Sequence, residues 1–182
     1  MQSEHDIGSR KKDFETAAEE AYPALARAAT VLCWSQADVE DVVQEAMLRA
    51  FKSYGAFRGD SSFFTWAYAI LSRAAQAANR AHTKGVPSDY ALSQPQHLPP
   101  VDRAVVLNED ARAVIEAIRS LPERQREMVT LRFLEDLGYA EIAAALAVSV
   151  GTVKATLFEA KMSLRSALAR QGIRKKASHV VP

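Results

Sequence analysis

The chain of 182 residues holds one cysteine, seven glycines and four histidines, and each scarcity removes a class of chemistry. Cys33 has no second cysteine to pair with and no His or Cys near it at a ligand spacing, so an internal disulfide is excluded and a zinc site is not expected. Two readings of Cys33 stay open: a thiol packed in a helical core, or a sensor or ligand. His5, His82, His97 and His179 are scattered, and no glycine-rich phosphate loop follows a strand-like segment. The paired carboxylates Glu19 with Glu20 and Glu135 with Asp136 lie in polar stretches that read as solvated surface rather than as acid and base. No catalytic arrangement emerges, and neither a cofactor nor an enzymatic activity is expected. No run approaches the roughly 18 consecutive apolar residues of a membrane span, and no apolar segment follows the charged opening MQSEHDIGSRKKDF. The expectation is a cytoplasmic protein without membrane insertion.

What the sequence does contain is helical periodicity. Hydrophobic residues make up 48% of the chain, enough for one sizeable core or two small ones. No stretch alternates with period two, so the fold expected is all-α, in two small helical modules. In DVEDVVQEAMLRAF, Val39, Val42, Val43, Ala46, Ala50 and Phe51 share one face, with Asp38 as the expected N-cap. YGAFRGDSS then breaks the pattern, and a further helix is expected from about residue 62 to 81, dense in aromatic residues. GVPSDYALSQPQHLPP carries four of the seven prolines and reads as an extended connection. The expected organisation is a tail over 1–13, a first module over 14–84, a flexible linker over 85–107, a second module over 108–170 and a basic tail over 171–182. Pro122 suits a first helical position. The formal charge is −1 over residues 1–88, −3 over 89–110 and +5 over 111–182. A basic last third fits a nucleic-acid partner, although solvated helices often carry such an excess.

The second module contains two close helical segments, YAEIAAAL and SVGTVKATLFEAKMSLR, separated by Ala147, Val148 and Ser149. That is the helix-turn-helix pattern. At about 100° per residue, Val153, Leu157, Ala160, Leu164 and Leu168 form a core stripe, and Lys154, Lys161 and Arg165 form a basic flank beside it. Glu159 falls on the outward side with Thr152 and Ala155. The residues that would reach base edges are Thr152, Ala155, Thr156 and Glu159. Glu159 has two readings, an acceptor for a cytosine amino group or a surface charge.

These tracts resemble a known family. LPERQREMVTLRFLEDLGYAEIAAALAVSVGTVKATL is similar to region 4 of the bacterial extracytoplasmic-function (ECF) sigma factors, and ADVEDVVQEAMLRAFKSYGAFRGDSSFFTWAYAI is similar to their region 2. The resemblance spans about residues 14–170. It implies a factor that binds core RNA polymerase and directs promoter-specific initiation. Asp41, Gln44, Glu45, Met47 and Phe51 would dock on the clamp coiled coil, and the flap is the other polymerase element implied as a partner. Phe64, Trp66, Tyr68, Arg73, Arg80 and Lys84 would serve the minus-ten element, where flipped bases stack on aromatic rings, although Trp66 and Tyr68 sit where the family uses aromatics largely for packing. Thr152, Lys154, Ala155, Thr156, Phe158, Glu159, Lys161 and Arg165 would serve the minus-thirty-five element. An anti-sigma factor is the further partner implied. The chain departs from the family's pattern at Phe64, Ala69 and Ser72, where arginine is usual, at Arg73, where asparagine is, at Ala155, Thr156 and Glu159 in the recognition helix, and at Ala147, where the family's turn glycine gives way either to a left-handed alanine at a cost of about 1 kcal/mol or to a turn of different shape. These departures keep two rivals in view: a mimic that binds polymerase or an anti-sigma factor without productive DNA contact, and a conventional helix-turn-helix repressor.

Overall fold

A computed structural model describes the backbone of residues 2–83 and 109–170 and the side chains of 12–82 and 112–170. Seven α-helices and no strand occur among the described residues: α1 (Gln2–Leu32), α2 (Asp38–Ser53), α3 (Phe63–Thr83), α4 (Glu109–Arg119), α5 (Glu123–Val129), α6 (Tyr139–Leu146) and α7 (Val150–Arg170). The all-α expectation holds. A short 3-10 turn, Tyr54–Ala56, follows α2, and a π-turn, Thr130–Leu134, extends α5. The expected linker lies outside the described residues, as does the C-terminal tail. The helix α1 runs back to Gln2, through the segment expected to be a tail.

In the first module α1, α2 and α3 pack on one another. The interface uses the stripe read from the sequence: Val42, Val43 and Ala46 of α2 are buried in one cluster with Leu25, Ala28 and Leu32 of α1 and Leu71 and Ala75 of α3, and Ala50 is buried with Phe14 and Ala18 of α1. Phe51 is the exception, being 49% exposed. Phe14, Phe51, Tyr54 and Phe63 meet edge to face with centroids 5.2–6.1 Å apart, and Phe57 and Trp66 join them. Such pairs are worth roughly 0.5–1.5 kcal/mol beyond their buried area.

Two expected caps differ. Asp38 is the first helical residue of α2 rather than its N-cap, which is Ala37. The Asp38 carboxylate lies 2.5 Å from His82 Nε2, so it ties the start of α2 to the end of α3 instead of bonding its own helix. Pro122 stands one residue before the place expected: it is the N-cap of α5, with ψ of 146°, and Glu123 starts the helix. The helix α3 begins at Phe63 because Ser62 caps it, its Oγ accepting the Thr65 N–H at 3.1 Å.

The second module packs α4, α5 and α6 around α7, whose buried residues are Val153, Leu157, Ala160, Leu164, Ala167 and Leu168. This is the stripe predicted by periodicity, widened by Ala167. The two modules are not held apart. The helices α1 and α3 pack against α4, α5, the π-turn and α6, and one continuous buried cluster runs through both. Fully buried Leu25, Leu71, Ile118, Met128, Leu131 and Ile142 belong to it. Each such side chain contributes about 1.5–3 kcal/mol on leaving water.

Candidate nucleic-acid and polymerase interfaces

The turn between α6 and α7 is built by local chemistry. Ala147 has φ 52° and ψ 48°, the left-handed one of the two alternatives, and Val148 N–H closes the helix end onto the Ala143 carbonyl at 3.0 Å. Ser149 Oγ then accepts the Thr152 N–H at 3.0 Å and starts α7. The chain changes direction by 102° across this break, within the range of DNA-reading helix-turn-helix units. At the other end of α6, Glu141 accepts the Gly138 N–H at 2.8 Å.

This turn leaves the outer face of α7 uncovered. Thr152, Lys154, Ala155, Glu159 and Arg165 are exposed, Phe158 is 68% exposed, and Thr156 and Lys161 are partly covered. The basic flank and the outward residues are thus brought together on one accessible surface. Tyr139, with Arg132 packed 5.7 Å above its ring, stands at the start of α6 and was not singled out by the sequence.

On α2, Asp41, Gln44 and Glu45 are exposed on one face. Glu45 is paired with Arg49 at 2.6 Å, and Gln44 donates to Glu40 at 3.3 Å. Phe51 shares this face, and so does Leu48, which is 54% exposed. Sequence reasoning passed over Leu48, although it lies seven residues beyond Asp41 and so on the same side of the helix. Met47 turns inward and is partly buried against the core. A stripe of acid and amide flanked by two exposed large apolar residues suits a partner offering both basic groups and an apolar seat.

The minus-ten candidates are distributed differently. Trp66 is partly buried in the aromatic cluster, 5.2 Å from Phe57. Tyr68 is fully buried, stacked obliquely on Phe64 at 5.9 Å, and its hydroxyl donates to the Glu127 carbonyl of the second module at 3.4 Å. Burial, and then the neighbouring Glu127, hold the phenol well above its usual range. Arg73 and Arg80 are exposed, Arg73 bonding the Ala69 carbonyl. Lys84 lies outside the described residues. Cys33 is fully buried, and burial with nearby Asp38 pushes its thiol up to about 12. That environment belongs to a core thiol. No group of three or more His, Cys, Asp or Glu residues able to hold a metal occurs among the described residues.

Two family models match the chain, Sigma-70 region 2 over residues 18–84 and Sigma-70 region 4 over residues 111–164. ECF RNA polymerase sigma-E factors of Haemophilus influenzae and of Escherichia coli are each 35% identical, over 137 and 144 residues, spanning 70% of this chain and 72% of theirs. The chain belongs to the ECF sigma factor family. Among solved structures, the sigma factor RpoE from Bartonella quintana, in complex with the anti-sigma factor NepR, matches with TM-score 0.74 at 23% identity, over 87% of this chain and 98% of that one. CnrH in complex with the cytosolic domain of CnrY matches with TM-score 0.66 at 22% identity, over 88% and 90%. Both share the fold. The boundaries of the two family matches in this ECF sigma factor fall on either side of the proline-rich stretch. No single described helix is long and apolar enough to cross a membrane.

Proposed function

We propose that this ECF sigma factor binds core RNA polymerase through the exposed face of α2 and directs it to promoters, with α7 reading the minus-thirty-five element and α3 serving the minus-ten element. Membership of the family carries the overall role. The observation that carries the site assignment is the co-occurrence of two uncovered surfaces of opposite character: acid and apolar on α2, basic on α7.

On α2, Asp41, Gln44, Glu45 and Phe51 make the contact, Leu48 joins them, and Met47 backs the surface from below. On α7, Lys154, Lys161 and Arg165 take phosphates, which sets affinity and register without sequence preference. Thr152, Ala155, Thr156, Phe158 and Glu159 face the base edges. None supplies the bidentate arginine that most often reads guanine, so the preference shifts toward pairs read by apolar contact with thymine methyls and by acceptance from the cytosine amino group. The protein performs no bond-making chemistry of its own. An anti-sigma factor is its proposed inhibitor, and the cytoplasm its proposed compartment.

The test is run-off transcription with purified core polymerase, preceded by unbiased selection of promoter sequences. Initiation from a selected promoter is expected. Polymerase binding without initiation from any sequence would favour the second reading, a sigma-like mimic, for which the absence of arginine on the reading face is the specific observation.

A further inference from the structure

The outward side of α3 carries a regular pattern. Arg73, Ala77 and Arg80 are exposed and Ala69 is partly covered. At about 100° per residue the other three fall within roughly 40° of Arg73, and Arg80 stands about 10 Å further along the axis. The buried residues Ala67, Leu71, Ala75 and Asn79 lie on the opposite side, where α1 and α2 pack. No Asp or Glu occurs in α3 between Phe63 and Thr83, so nothing within the helix offsets the positive charge of this face. Arg73 is also held in place. Its Nε donates to the Ala69 carbonyl, one turn back, at 2.8 Å. That bond uses one of the five guanidinium N–H groups and leaves the four on the terminal nitrogens, for which no acceptor occurs among the described residues. An exposed arginine tethered in this way loses less side-chain freedom on meeting a partner. Ala69 and Ala77, one turn to either side, present nothing longer than a methyl group, so a flat partner can meet the guanidinium fork edge on.

We propose that Arg73 is a specificity-determining residue, presenting its two terminal nitrogens to O6 and N7 of a guanine in the minus-ten region. The proposal rests on the assignment of α3 to the minus-ten element. Both acceptors lie on the major-groove edge of the base, and the bidentate pair of arginine with guanine is the commonest specific contact there. A phosphate also fits an arginine fork, and the position of Arg73 decides between the two. Phosphates stand at the rim of a groove, within reach of a side chain near a helix end, as Arg80 is. Base edges are recessed, and a side chain reaches them from the middle of a helix whose neighbouring residues are small. Arg73 is the central residue of the 21 in α3, with alanine one turn away on each side. The reading face of α7 holds Thr152, Ala155, Thr156 and Glu159 and no arginine. In this chain the guanine-reading fork is therefore on the first module.

The full chain assembled with core polymerase tests this, with Arg73→Lys and Arg73→Ala beside the wild type and helical content checked by circular dichroism. Promoters are selected from a library randomised across the minus-ten region. The wild type should recover guanine at one position. Both variants should lose that guanine and keep the rest of the motif, because lysine retains the charge without the fork. Run-off transcription then reads the contact itself. Replacing that guanine by 7-deazaguanine, which lacks the N7 acceptor, should lower wild-type initiation by about fivefold and leave initiation by Arg73→Ala unchanged. A wild-type motif without guanine would overturn the proposal, and so would a guanine preference that survives in Arg73→Ala or equal sensitivity of both proteins to 7-deazaguanine. Uniform weakening by Arg73→Ala on all sequences, restored by Arg73→Lys, would mark a phosphate contact and overturn it too. A wild type with no preference anywhere in the minus-ten region would remove α3 from that role, and the proposal with it, so the two failures are told apart.

Discussion

Replacing Ala147 by glycine should stabilise the second module. Ala147 is exposed and holds φ 52° and ψ 48° at the end of α6. An L-residue in that conformation is strained by roughly 1–2 kcal/mol through the approach of Cβ to the following carbonyl. Glycine removes this strain but raises the entropy of the unfolded chain, which costs about 0.4–1 kcal/mol. No buried methyl is lost because the side chain faces solvent. The net gain expected is about 0.5–1 kcal/mol, or roughly 1–4 °C in Tm for a chain of this size. Ala144 provides the control. It is three residues earlier, equally exposed and within α6, and Ala144→Gly should cost about 0.5–1 kcal/mol. The same chemical change should thus have opposite signs at two positions one helical turn apart. Equilibrium urea unfolding of the wild type and both variants, compared at equal m-value, measures it. Destabilisation by Ala147→Gly comparable to that of Ala144→Gly would refute the left-handed strain as the controlling term.

Asp41→Ala should lower affinity for core polymerase by about tenfold while leaving the thermal midpoint within about 1 °C, since its side chain is exposed, whereas Phe51→Ala should lower both the affinity and the midpoint, because it also removes the edge-to-face contact with Phe14; a titration against purified core polymerase and a thermal melt decide it. Lys154→Ala should weaken promoter binding alike for all sequences and reduce the slope of log affinity against log salt by about 0.9. Glu159→Arg should instead change the motif recovered by promoter selection, and recovery of an unchanged motif would remove Glu159 from the reading face. Cys33 should resist alkylation in the native chain at pH 8. Its folded thiol pKa is raised to about 12, so the neutral form's advantage is fully present below the ordinary thiol value and is lost as pH rises from there toward 12. Labelling by iodoacetamide should follow unfolding in urea, and prompt native labelling would contradict the buried placement.

The sequence by itself determined the elements whose two sides differ strongly in polarity. The stripes of α2 and α7 were legible because a helix buries every third or fourth residue, and Val42, Val43, Ala46, Val153, Leu157 and Leu164 repeat at that interval whatever they pack against. The same periodicity put Lys154, Lys161 and Arg165 on one flank, and the order of short helix, turn and longer helix placed Ala147 in the turn, while its left-handed conformation was decided by the structure. The tertiary structure decided the rest. Asp38 looked like a cap because caps are recognised from neighbours in sequence, whereas its carboxylate is engaged by His82, forty-four residues away. Phe51 belongs by periodicity to the buried face of α2, yet it lies at the end of that helix, where the core gives way to solvent on one side and Phe14 covers it on the other. Glu127 reads as one more surface acid in LPERQRE, since nothing local marks it as buried. Only the approach of α3 to α5 encloses it between Ser72 and Gln76. Periodicity shows which side of a helix avoids water. It does not show which other helix covers the remaining sides, because that depends on contacts between residues far apart in the chain, and those contacts bury Tyr68, Ser72 and Glu127 where α3 meets α5.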